Sequence, residues 1–185
     1  TKQTDPLWAQ IKKHEWWVNV AGLGGVCGPV SGDMVCVDFD TPKDRTDLVF
    51  PFELLERFLQ GVGLTDSLWI VNSPRGGYHV WVRCAGLEIE KGKLDRPAWG
   101  LDGGYHIELR WTGHYAALPE SQHPNGVYAW RVSEPAEAPP FVDRDALLLA
   151  YAAVTVEPEV KPVPATVHVN GTNGSTPHAP SQGYA

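Results

Sequence analysis

The sequence predicts an α+β domain: a mixed, mainly antiparallel sheet flanked by helices. Three observations carry that prediction. Short apolar segments alternate with period two, most clearly Met34-Val35-Cys36-Val37-Asp38-Phe39-Asp40, Tyr78-His79-Val80-Trp81-Val82 and Tyr105-His106-Ile107-Glu108-Leu109-Arg110-Trp111. Two segments, 50–60 and 143–156, instead carry helical spacing. Between residues 68–72 and 78–82 lies Pro74-Arg75-Gly76-Gly77, a turn that makes the pair a hairpin. With 43% hydrophobic residues and eight tryptophans, the 185-residue chain can bury one sizeable core.

Taken in order, residues 8–17 read as an amphipathic helix, with Trp8, Ile11 and Glu15 at turn spacing. A glycine-rich segment, 22–32, follows. It lacks the Gly-Lys-Ser/Thr of a phosphate-binding P-loop and the GxGxxG of a dinucleotide fold, so it reads as a short strand and a turn at Ser31-Gly32-Asp33. The 34–40 strand comes next, then a loop at 41–44. The 50–60 helix should bury Phe52, Leu55, Phe58 and Leu59 and end at Gly61 and Gly63. Residues 83–104 read as irregular, with Lys91, Lys93 and Arg96 as a solvated basic cluster. Strands are expected at 105–111, 115–118 and 127–132, the last two joined by a turn-rich connection. Residues 135–140 have linker composition, and 143–156 reads as a helix. The organisation is therefore a core over 1–133, a linker and C-terminal helix over 134–156, and a tail over 157–185. That tail, rich in Pro, Gly, Ser, Thr and Asn, is expected to be disordered and to lead toward a further region. The start at Thr1 rather than methionine suggests a piece of a longer protein.

No apolar run approaches the roughly 20 residues a membrane helix needs, and no signal peptide is visible. Cys27, Cys36 and Cys84 are too few and too scattered for a zinc site or a disulfide framework, which fits a cytoplasmic setting. The net charge of −7 argues mildly against nucleic acid, but −4 of it lies beyond Ser133. Charge alone decides nothing.

The chemistry centres on the 34–40 strand. Alternation puts Val35, Val37 and Phe39 on one face and Cys36, Asp38 and Asp40 on the other. Carboxylates two apart on a strand are roughly 6.5–7 Å apart, close enough to share two divalent cations lying about 3.5–4 Å from each other. A third carboxylate, Glu108, shares its strand face with His106 and Arg110. The hairpin supplies Ser73, Arg75, Gly76, Gly77 and His79, a set that suits phosphate oxygens: glycines admit backbone N–H groups, and the side chains donate. Metal-assisted transfer on a nucleoside triphosphate unites the set. Three rivals stand beside it. A zinc deaminase is excluded, because His106-x-Glu108 lacks the Pro-Cys-x-x-Cys partner. A metal-dependent nucleotide-sugar transferase of the Asp-x-Asp type and a non-catalytic nucleic-acid-binding module remain open.

The order of the motifs adds an identity. The run 28–40 ending in Asp38-Phe39-Asp40, then Ser73-Pro74-Arg75-Gly76-Gly77-Tyr78-His79, then Ile107-Glu108-Leu109-Arg110 with Tyr115-Ala116-Ala117-Leu118-Pro119 and 121–130 behind it, resembles the bifunctional DNA primase/polymerase (Prim-Pol) family of the archaeo-eukaryotic primase superfamily. The resemblance covers residues 18–132. It implies a two-part catalytic core with an RRM-like half. It also implies that Asp38, Asp40 and Glu108 bind two Mg²⁺ or Mn²⁺ ions, and that His79 with Ser73 and Arg75 contacts the phosphates of the incoming nucleotide. Arg110 follows the third acid as in the family and joins the nucleotide-binding set. The implied partners are a single-stranded DNA template and primer, (deoxy)nucleoside triphosphates, and a helicase or accessory domain in the full-length protein. The third acid is Glu where Asp is commoner, and Asp102 competes for that position. The zinc-binding stem of some relatives is absent, so unaided primer initiation is not implied.

Overall fold

The structure, a computed structural model, describes residues 21–65 and 69–156. The helix expected at 8–17, the start of the strand expected at 68, and the tail from 157 lie outside the described residues.

Seven-residue β2 (Met34–Asp40) is the centre of a six-stranded sheet. On one side it pairs with β4 (Tyr78–Arg83), which pairs in turn with β3 (Ile70–Asn72) and, beyond it, β10 (Ala129–Trp130). On the other side it pairs with β6 (His106–Arg110), whose outer neighbour is β5 (Lys93–Pro97). Every pairing is antiparallel. The inner order β3-β4-β2-β6, with helix α1 (Phe52–Gly61) between β2 and β3, is that of an RRM-like β-α-β-β-α-β sheet with one substitution. No α-helix stands between β4 and β6, only one turn of 3-10 helix at Glu90–Gly92. Instead α2 (Arg144–Val154), from far along the chain, packs beside α1 on the same face.

The alternation of β2 sorts the two faces. Val35, Val37 and Phe39 join Val80, Val82, Ile107 and Leu109 under the helices, all fully buried. Helix α1 contributes Leu54, Leu55, Phe58 and Leu59, while Phe52, expected in the core, is half-buried against Tyr78 and beneath the Arg131 guanidinium. Asp143 caps α2 by accepting from the amides of Asp145 and Ala146, both at 2.9 Å. Tyr151 ties the helix to the sheet by donating to the Ile107 carbonyl at 2.8 Å. The described helices include none long and apolar enough to cross a membrane.

The opposite face is half covered. Strands β1 (Gly24–Val26) and β7 (Tyr115–Ala117) form a small antiparallel sheet over a second cluster of Cys27, Cys36, Val71, Trp81 and Ala116. The glycine-rich segment serves this packing: a Cβ on Gly25 would lie 2.6 Å from the Trp81 ring. All three cysteines are buried and free, and burial pushes the Cys27 thiol up to about 11. The remaining half of this face, the upper ends of β2, β4 and β6, stays open.

Two expectations need correction. Residues 93–97 are not irregular but form the edge strand β5. Lys93, Asp95, Arg96 and Pro97 hide it from periodicity, and charges with a terminal proline are what keeps a sheet edge from pairing further. The strand expected over 127–132 is broken at Tyr128: β9 (Gly126–Val127) pairs with β8 (Gln122–His123), whereas β10 joins β3. The amide and carbonyl of Tyr128 bond instead to Ser121 and Glu120. The 135–140 segment, of linker composition, is held to the sheet by hydrogen bonds. The Trp69 indole donates to Glu137, and Arg83 donates to the carbonyls of Pro139 and Pro140 at 2.7 and 2.8 Å.

The hairpin tip shows how tightly the open half is built. A Cβ on Gly77 would stand 2.1 Å from the Phe39 carbonyl oxygen, between Asp38 and Asp40. Gly77→Ala should therefore destabilise the fold by about 2–3 kcal/mol, read as a lower denaturant midpoint with an unchanged slope.

Candidate active site

Strand register builds the site. Asp38 lies directly opposite His79 on β4 and directly opposite Glu108 on β6. Residues paired across neighbouring antiparallel strands have Cβ atoms about 4.5–5.5 Å apart, so Asp38 is flanked on the open face by His79 on one side and Glu108 on the other. Asp40, two residues on, stands opposite His106 at the rim. Asp38 and His79 are buried, at 3% and 4% exposed, on a face that otherwise opens outward.

His79 is oriented from behind. Its Nδ1 lies 3.1 Å from the Ala117 carbonyl, so that nitrogen carries the proton and Nε2 faces Asp38 Oδ1 at 3.5 Å. Tyr128 tilts against the other side of the ring, with centroids 5.2 Å apart. Arg110 reaches across from β6. Its Nη2 donates to Asp38 Oδ2 at 2.6 Å, its Nε to Glu108 Oε2 at 2.7 Å, and its Nη1 to the Tyr115 carbonyl at 3.1 Å. Lys93 closes on the other Glu108 oxygen, and Arg75 donates to Asp40 Oδ1 at 2.9 Å.

Two clefts open beside these groups. One, about 150 Å³, is lined by Asp38, Asp40, Ser73, Arg75, His79 and Tyr128, with His123 and Arg110 at its edges. The other, about 300 Å³, lies between Asp40, Lys43, Asp95, His106, Glu108 and Arg110. Asp40 and Arg110 line both.

The sequence model of the family "Bifunctional DNA primase/polymerase, N-terminal" matches residues 1–141. The chain belongs to the Prim-Pol family. Membership makes it a nucleotidyltransferase-type domain whose family substrates are DNA and nucleotides. No curated protein matches it.

In this Prim-Pol domain the strand positions named from sequence, Asp38, Asp40, His79, Glu108 and Arg110, come together. Asp102 sits exposed in a loop and lines neither cleft. The hairpin differs from expectation in one respect. The Gly77 amide donates to Ser73 Oγ and the Gly76 amide to the Ser73 carbonyl, so both N–H groups are spent inside the turn. The glycines are there for close approach: Gly76 has φ of 82° and packs on the Leu48 carbonyl as Gly77 packs on that of Phe39. Thr41 clamps the tip by donating to the Arg75 carbonyl at 2.8 Å.

Sequence reasoning missed Lys93, which belongs to the acid cluster and not to a solvated loop, because its strand is hidden. It also missed Tyr128 and His123, which lie in the turn-rich connection. The Asn125 amide donates to His123 Nδ1 at 3.1 Å, leaving Nε2 as the donor of that ring. An Asn-Gly turn flanked by His and Tyr was the available signal.

The carboxylates differ electrostatically. Burial pushes the Asp38 carboxyl up; His79 and Arg110 oppose this, while Asp40 and Glu108 reinforce it. Burial also works to raise Glu108, but Lys93 and Arg110 outweigh it and hold that carboxyl below its ordinary value of 4.5. Burial works against the Arg110 charge too, yet Asp38 and Glu108 keep the guanidinium firmly protonated. A lowered carboxyl stabilises the fold above its unfolded value, and that contribution is lost as pH falls through the folded value. Asp38, being raised, has the opposite sign. Glu108→Gln should therefore flatten the rise in stability from about pH 3 to 5, measured by urea unfolding beside the wild type.

Proposed function

We propose that this domain is the catalytic core of a template-dependent DNA primase/polymerase, transferring nucleotides from (deoxy)nucleoside triphosphates to a 3′-hydroxyl on single-stranded DNA. The observation that carries the reading is the register that sets Asp38 between His79 and Glu108, with Asp40 beside them on the open face.

Asp38, Asp40 and Glu108 would hold Mg²⁺ or Mn²⁺. Their oxygens are the hard donors these ions prefer, and Asp38 Oδ1 is buried with no hydrogen-bond partner, a position a cation would satisfy. Among the described residues no three such side chains already converge on one point, because Arg110 spans Asp38 and Glu108. When bound, the ions would lower the barrier by activating the 3′-hydroxyl and stabilising the pyrophosphate leaving group. The chain's own groups bind and orient. Arg75, at the mouth of the smaller cleft, offers a guanidinium to triphosphate oxygens, and the Ser73 hydroxyl and the His123 Nε2–H point to the same space as further donors. His79, fixed by Ala117 and Tyr128, holds its Nε2 toward Asp38, one of the acids that would hold the ion. Lys93 keeps Glu108 ionised.

The test is primer extension and unprimed synthesis on single-stranded DNA with Mg²⁺ or Mn²⁺. Asp38→Ala/Asp40→Ala should lower synthesis on the order of a thousandfold or more while leaving DNA binding intact. Unchanged synthesis by the double variant would sink the reading. Turnover of a sugar nucleotide in place of a nucleoside triphosphate would replace it with the transferase alternative.

A further inference from the structure

Arg110 makes more contacts with the acids than any other cation in the site. All three of its nitrogens are committed: one to Asp38, one to Glu108 and one to the Tyr115 carbonyl that anchors it. Its Cα is paired with Cys36, one step below Asp38 on the same face, so the side chain rises into the gap between the two opposed carboxylates. The pairing of β2 with β6 fixes the strand positions from which the two acids rise, and the Arg110 guanidinium bridges them. Arg110 also lines both clefts, as Asp40 does. Arg75 is a different kind of partner: it touches Asp40 alone, at a more open position.

We propose that Arg110 is a resident placeholder cation. It holds Asp38 and Glu108 in catalytic register in the metal-free domain and competes directly with a divalent ion for the space between them. Resting on the metal-site reading above, the inference adds a positioning residue that sets metal affinity. Arg110 keeps its charge throughout, so exchange of one cation for another balances the site. Displacement has room on either side, in the 150 Å³ cleft or the 300 Å³ one. A rigid fork suits the task better than a lysine, since two parallel donors hold two carboxylates at fixed spacing.

The experiment is an Mn²⁺ titration of the full chain followed by electron paramagnetic resonance of the unbound ion, with no nucleotide or DNA present. Wild type is compared with Arg110→Gln, Arg110→Lys and Arg75→Gln, each also melted with and without Mn²⁺. Arg110→Gln should bind Mn²⁺ about tenfold or more tightly than wild type, while Arg75→Gln, which removes a single contact to Asp40 alone, should change affinity less than about threefold. Arg110→Lys keeps the charge but cannot span both acids, so it should fall between wild type and Arg110→Gln. Metal-free Arg110→Gln should melt below wild type and regain the difference with Mn²⁺. If Arg110→Gln does not fold, Arg110→Lys binding more tightly than wild type carries the inference, and equal or weaker binding overturns it. Equal tightening in Arg110→Gln and Arg75→Gln would reduce the effect to net charge and overturn the placeholder role. Wild type binding Mn²⁺ with unchanged affinity in Arg110→Gln overturns the inference alone. No Mn²⁺ binding by any form overturns the inference and the metal site together.

Discussion

The structure depends on burying one carboxylate, Asp38, in the middle strand of the main sheet. A buried ionised group is costly unless partners surround it, so its neighbours are not free to vary independently. His79 and Glu108 are brought to it by the pairing of β4 and β6, and Arg110 follows Glu108 by one strand repeat. Every layer below serves that arrangement. The apolar face of β2 is clamped by α1 and α2, so the strand cannot shift register without exposing Val35, Val37 and Phe39. The lower half of the polar face is sealed by β1 and β7, which leaves only the acid-bearing ends open.

The replacement of one RRM-like helix by α2 has a consequence for the site. With no α-helix between β4 and β6, that connection is free to run as the edge strand β5, beside Glu108. Lys93 reaches the third acid only because β5 is there. On the opposite side, the segment carrying Tyr128 and His123 folds back over His79 and forms the outer wall of the smaller cleft. The smaller and the larger cleft thus draw their outer walls from different parts of the chain. They meet at Asp40 and Arg110.

Charge in the site is balanced locally, not globally. The chain is acidic overall, yet Asp38 and Glu108 share Arg110, Glu108 adds Lys93, and Asp40 has Arg75. A net charge of −7 therefore says little about what approaches this face. Of these pairings, the one at Glu108 holds its carboxyl below the ordinary value, whereas burial pushes Asp38 up.

Much of this was legible before folding. Period-two alternation in 34–40, 78–82 and 105–111 assigned each acid and His79 to a face, because that periodicity is a property of the strand itself. Helical spacing likewise marked α1 and α2. The charged edge strand β5 was not legible, since an edge carries no apolar alternation. Nor was the break at Tyr128, where the backbone finds its partners at residues 120 and 121 instead of in a ladder. The sequence by itself determined which residues face which way and the order in which they come. Only the tertiary structure decided that Asp38, His79 and Glu108 are cross-strand neighbours, that Arg110 bridges two acids, and that Gly76 and Gly77 serve packing. Register between strands far apart in sequence is set by how the whole core closes, and no local pattern encodes it.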